Sequence, residues 1–171
     1  MCSLPFVGPA VSCNVSAMAG RIVVGVDGSE AGDSALRWAA DIARMRGARL
    51  VVVHAWTFIP PAPLSEPGLM AVPAGDLVGD LEVESQAADA VLDEALERVG
   101  VSELDVDRRV VEDSAGEALV AAADGADLLV VGSHGHGAIG AALLGSVSRH
   151  AEKHASCEVM IIRPKRDERG E

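Results

Sequence analysis

Short, almost uninterrupted apolar runs alternate along this chain with longer amphipathic stretches, and that alternation restricts the fold more than any other feature. The runs are Arg21–Val26 (RIVVGV), Leu50–Ala55 (LVVVHA), Leu128–Val131 and Val159–Ile162. A strand reads this way when both faces of its sheet are covered. Asp105–Val111 (DVDRRVV) alternates more and is expected nearer a sheet edge. Between the runs lie helical patterns. Glu30–Arg46 follows a capping Ser29, keeps Ala31, Ala35, Trp38, Ala39, Ile42 and Ala43 on one stripe, and stops at Gly47. Asp80–Val99 sets Leu81, Ala88, Val91, Leu92, Ala95, Leu96 and Val99 against a face of acids and ends at Gly100. Ser114-Ala-Gly-Glu117 has the form of a capping box opening a helix to about Ala123, and a last helix is expected over Ser146–His154. Five strands alternating with four helices predict an α/β fold: an open, five-stranded parallel sheet, Rossmann-like, with helices on both faces.

The chain of 171 residues fits one domain. The expected division is a disordered leader over 1–19, a nucleotide-binding domain over 20–165 and a disordered tail over 166–171. The leader has no charged side chain before Arg21 and lacks the pattern of a secretory signal; Met18 is an alternative start to Met1. Thr57–Gly79 holds Pro60, Pro61, Pro63, Pro67 and Pro73, is too long for an ordinary connection, and reads as a flap after the second strand.

Composition removes several function classes. Acidic residues number 26 against 14 basic ones, a net charge of −12, and the aromatics are Phe6, Trp38, Trp56 and Phe58. Nucleic-acid surfaces are basic and single strands need stacking rings, so no nucleic-acid partner is expected. No apolar run reaches the roughly 20 residues of a membrane span, so no membrane partner is expected. Cys2, Cys13 and Cys157 are odd in number without CxxC spacing, which suits free thiols in a cytoplasmic, reducing compartment.

In an open parallel sheet, ligands bind beyond the carboxyl ends of the strands, where the strand order reverses. The residues there are Asp27-Gly28-Ser29 after the first strand, Ala55-Trp56 after the second, and Gly132-Ser-His-Gly135-His-Gly137-Ala-Ile-Gly140-Ala-Ala-Leu-Leu-Gly145-Ser146 after the fourth. Glycines let a backbone close on a ligand, and a helix opening at Ser146 offers unpaired N–H groups to an anion. A structural turn with a helix cap would use the same residues. A P-loop is excluded, because Lys153 and Lys165 are the only lysines and neither follows a glycine. Gly135–Gly140 matches GxGxxG, yet the chain has no later strand ending in a ribose-binding acid. His134 and His136 lack further metal-ligand partners in sequence, and His150 and His154 fit a solvated helix face better than a metal site.

Gly132-x2-Gly135-x9-Gly145-Ser146 resembles the ATP-binding signature G-x2-G-x9-G-[S/T] of the universal stress protein family. Arg21–Ser29, Leu50–Ala55 and Cys157–Pro164 resemble that family's first, second and closing strands, so the similarity covers about Gly20 to Pro164. It implies strand order 3-2-1-4-5 and ATP, with Mg²⁺, as ligand. It implies that Asp27 meets the ribose or adenine side and can reach Mg²⁺. Ala55 would present backbone groups to adenine. Gly132 and Gly135 would close over ribose and phosphates, and Gly145, Ser146 and Val147 would bind phosphates. Ser133, His134 and His136 would lie near those phosphates. Many relatives carry arginines where this chain has His134 and His136, which would make phosphate binding depend on pH. The resemblance further implies a homodimer through the last strand, near Val159–Ile162.

These readings favour an ATP-binding stress-response regulator. A slow ATPase or nucleotidyl transferase on the same scaffold is the alternative, disfavoured because no general base is evident. A nucleotide-free interaction module is a third reading, disfavoured by the intact glycine–serine spacing.

Overall fold

The computed structural model describes residues 20–58, 74–135 and 144–164, with the side chains of 74–80 excepted. The described elements follow the expected alternation: β1 (Arg21–Gly25), α1 (Glu30–Arg46), β2 (Arg49–Trp56), α2 (Ala74–Val99), β3 (Val106–Glu112), α3 (Ala115–Ala122), β4 (Leu128–Gly132), α4 (Ser146–His154) and β5 (Glu158–Ile162). All four strand pairings are parallel and the order is β3-β2-β1-β4-β5. The order reverses between β1 and β4: β2 and β3 lie on one side of β1, and β4 and β5 on the other.

Alternation along each strand sends successive side chains to opposite faces. Ile22, Val24, Leu50, Val52 and Val130 pack under α1 and α2 with Leu36, Ala40 and Leu92. Val23, Val51, Val53, Leu129 and Val131 pack under α3 and α4 with Leu119 and Ala151. Both faces are covered, which is why β1, β2 and β4 carry no polar stripe. Strands β3 and β5 are the two edges, and the alternating sequence of β3 matches its place.

Helix α1 starts where Ser29, in extended conformation, accepts a hydrogen bond from the Gly32 N–H through Oγ at 3.1 Å. It ends at Gly47, whose N–H donates to the Ala43 carbonyl. Asp33 in its first turn is buried, and Arg98 of α2 grips it with Nε–H and Nη2–H at 2.9 and 3.2 Å. This pairing raises the guanidinium pKa of Arg98 above its usual value and ties the last turn of α2 to the first turn of α1. Ion pairs such as Arg44–Asp41 lie on the open surface and contribute little. Replacing Ser29 with Ala should cost about 1 kcal/mol, the usual worth of such a cap. A shift in denaturation midpoint at unchanged slope would show it.

Three local readings need correction. Helix α2 begins at Ala74 rather than Asp80, so the end of the stretch read as a flap is helix. Gly75 and Gly79 weaken the helical pattern there, but Pro73 stands just before the helix, where its missing N–H costs nothing. The rest of that stretch, residues 59–73, lies outside the described residues, as do the leader and the tail. The capping box at Ser114 does not form. The Ser114 side chain makes no cap bond, and its N–H donates instead to Asp113 Oδ1 at 2.6 Å. Glu117, the expected reciprocal partner, faces α4, its Oε1 3.3 Å from His150 Nε2. For the same reason His150 is not a solvated residue. It is partly buried, its ring lies where a Cβ on Gly116 would stand, and its Nε2 makes no well-aligned hydrogen bond. The Cys157 thiol is free, and burial raises its pKa, which lowers its reactivity.

Candidate functional site

A cleft of about 340 Å³ opens at the carboxyl ends of β1, β2 and β4, at the point where the strand order reverses. Ligand sites of small molecules run from roughly 300 to 1,000 Å³, so its volume suits a small ligand. Its apolar base is Val53, Leu119 and Val131, with Ala115 from the start of α3. Its rim is polar and consists mainly of loop backbone.

The turn after β1 is built around Asp27. Gly28 has φ of 78°, a left-handed conformation that suits glycine, and this turns the chain back so that Ser29 faces the carboxylate. Asp27 Oδ1 accepts from the Ser29 N–H at 3.0 Å and from Ser29 Oγ–H at 2.5 Å. Oδ2 faces Gly135, where an added Cβ would overlap it. Val26, just before this turn, is fastened by two bonds: its N–H donates to the Val53 carbonyl at 2.9 Å, and its own carbonyl oxygen lies 2.8 Å from His54 Nδ1. A carbonyl can only accept, so Nδ1 carries the proton.

The loop after β4 is secured at both ends. The Ser133 N–H donates to the Ile162 carbonyl at 2.7 Å, and the Ser133 carbonyl accepts from the Gly145 N–H at 2.8 Å. Ser148 Oγ–H donates to the Gly132 carbonyl at 2.7 Å. Helix α4 therefore starts directly against the end of β4. Its N-cap is Gly145, with no side-chain acceptor, and no acid lies in its first turn. The first N–H groups of a helix have no intrahelical partner. Here the residues of that first turn, Ser146, Val147 and Ser148, line the cleft.

Asp27, Ala55, Gly132, His134, Gly135, Gly145, Ser146 and Val147, all named from the sequence, line this one cleft. Ser133 is buried directly behind it, and His136 lies outside the described residues. Gly132, Gly135 and Gly145 do not have positive φ. They allow close approach: a Cβ on Gly132 would stand 2.9 Å from the Ala31 carbonyl carbon, and one on Gly145 3.4 Å from His134 Cα. Gly32, Ala115, Leu119, His54 and Ser148 belong to the site or its support and were not foreseen. Ser148 was legible in principle, as the second serine of Ser146-Val-Ser148 at a helix start. The ionisable residues among the described cleft lining are Asp27 and His134. No group of three or more metal-ligating side chains occurs among the described residues. Nor is any described helix long and apolar enough to cross a membrane.

The family model of the universal stress proteins matches residues 18–163. A universal stress protein of Mycolicibacterium smegmatis is 34% identical over 146 residues, 84% of this chain and 46% of that protein. The chain thus spans about half the length of the first such relatives. A shorter one from Thermus aquaticus is 34% identical over 144 residues, covering 83% of this chain and 97% of its own length. A universal stress protein whose crystal structure holds cAMP superposes with a TM-score of 0.59 at 30% identity, covering 85% of this chain and 98% of that one. Match length, identity and strand order agree, and the chain belongs to the universal stress protein family.

Proposed function

We propose that this chain binds an adenine nucleotide, ATP with Mg²⁺, in the cleft between β1 and β4, and that occupancy makes it a nucleotide-dependent regulator of a stress response in the cytoplasm. The observation that carries this reading is the gathering of Asp27, Ala55 and both ends of the Gly132–Ser146 loop around one cleft, beside the uncapped start of α4. Phosphate oxygens would take the orphan N–H groups of Ser146 and Val147 with the Ser146 hydroxyl. Ser133, His134 and His136 would stand near the same phosphates. The apolar base would hold adenine, with Ala55 offering backbone groups. The related protein solved with cAMP supports an adenine ligand.

Mg²⁺ fits one feature of the site. Ser29 occupies Asp27 Oδ1 and leaves Oδ2 for ribose or for the ion. A single carboxylate with phosphate oxygens is how Mg²⁺ is commonly held, and the ion would offset phosphate charge in a chain of net charge −12. We also infer a homodimer through β5, an edge strand whose Val159–Ile162 is only partly buried.

Titration calorimetry with ATP, with and without Mg²⁺, tests the reading. Saturable binding strengthened by Mg²⁺ is the expected result. No heat under either condition would overturn it, and steady appearance of ADP would favour an enzyme.

A further inference from the structure

Ser133 has an arrangement that loop closure alone does not explain. Its backbone N–H and carbonyl fasten the loop to β5 and α4, and its buried hydroxyl lies 2.8 Å from His134 Nδ1. His134 lines the cleft. With Nδ1 taken by Ser133, Nε2 is the ring nitrogen left for a ligand.

We propose that Ser133 is a positioning residue that holds His134 with its Nε2–H turned to the anionic part of a bound nucleotide, so that affinity rises as pH falls. This rests on the nucleotide-binding reading above. A hydroxyl can donate or accept. When His134 is neutral, Ser133 Oγ–H donates to Nδ1 and the ring proton sits on Nε2. When His134 is a cation, Nδ1–H donates to Oγ and Nε2 keeps its proton. Nε2 is a donor in both states, and the cation adds charge. Without the hydroxyl, the neutral ring is free to carry its proton on Nδ1 and turn a lone pair toward the anion.

The charged surroundings allow this. Asp27 faces the cleft from the turn after β1. The first turn of α4 has no acid, and Glu117 of α3 is turned toward His150. His134 and Asp27 are the ionisable residues of the described lining.

The test compares Mg-ATP affinity of wild type, His134→Gln, Ser133→Ala and Ser133→Thr between about pH 5 and 8. Protonation of the ligand is common to all four proteins, so differences between them report the protein. The wild-type advantage over His134→Gln should be small at the alkaline end and grow to about tenfold at the acid end, the worth of a charge-assisted hydrogen bond. Ser133→Ala should lose more affinity at the alkaline end, where the tautomer matters, and Ser133→Thr should restore it. Parallel profiles for wild type and His134→Gln overturn the proposal while leaving nucleotide binding intact. An equal loss in Ser133→Ala at both ends overturns the positioning role. Absence of binding by wild type at every pH overturns the nucleotide reading with it.

Discussion

Replacing Gly135 with Ala should lower ATP affinity by one to two orders of magnitude, on the order of 1.4–3 kcal/mol, with little loss of fold stability. The cause is steric and local. A Cβ on Gly135 would overlap Asp27 Oδ2. Asp27 cannot swing away at no cost, because the Ser29 N–H and Oγ–H both hold its other oxygen. The strain passes to the loop, and the loop is what must close on the ligand. Gly135 follows β4 and lies outside both buried clusters, so the unfolding midpoint should hardly move. Calorimetric titration of the purified variant measures the effect. The double substitution Asp27→Gly with Gly135→Ala isolates the cause. If the clash is responsible, the methyl at position 135 should cost far less once the carboxylate is gone, a coupling that neighbouring residues commonly show. Wild-type affinity in Gly135→Ala would contradict the placement of Asp27 and Gly135 across one site.

The largest effect on stability is expected at Leu129. Its side chain is fully buried, in a central strand, beside Val23 of β1 and Val159 of β5. Truncating a buried leucine to alanine removes its transfer energy and leaves a cavity, roughly 2–5 kcal/mol together. Domains of this kind have about 5–15 kcal/mol in total, so Leu129→Ala should forfeit a large fraction. Each kcal/mol corresponds to roughly 2–4 °C in Tm at this size. Because β4 leads into Gly132 and the loop, saturating nucleotide should recover part of the loss by binding the folded state alone. A loss below about 0.5 kcal/mol, the level of a surface change, would show that the sheet is not packed as described.

The sheet was readable in advance because its central strands are covered on both faces. That condition forces short, continuous apolar runs such as Leu50–Val53. Strand β3 was readable as an edge because Asp107, Arg108 and Arg109 interrupt its pattern. Boundaries failed where a local signal had competing partners. Prolines and glycines masked the first turns of α2, although a helix can begin immediately after Pro73. The Ser114–Glu117 box failed because the Asp113 carboxylate takes the Ser114 N–H, while Glu117 turns toward His150 from the next helix.

The site divides in the same way. Asp27, Gly132, Gly135 and Gly145–Val147 were legible because fixed spacing and strand-end position bring them to one place. Gly32, Ala115 and Leu119 were not, since each looks like an ordinary helix residue until the topology sets α1 and α3 on either side of the reversal point. His54 was hidden inside an apolar run. Its role, a hydrogen bond to the carbonyl of Val26 just past β1, depends on the β1–β2 register. The glycines taught the most. Spacing alone suggests a backbone that closes on a ligand; Gly132 and Gly135, neither of positive φ, are also required by what stands against them: the backbone of Ala31 and the carboxylate of Asp27.

The central claim is that this cleft holds an adenine nucleotide. The most direct measurement is mass spectrometry of whatever the purified protein releases on denaturation, run beside Gly135→Ala. Wild type should release an adenine nucleotide in a molar ratio approaching the protein, and the variant should release little. A wild-type sample that releases none, and takes up none after incubation with Mg-ATP, would contradict the account.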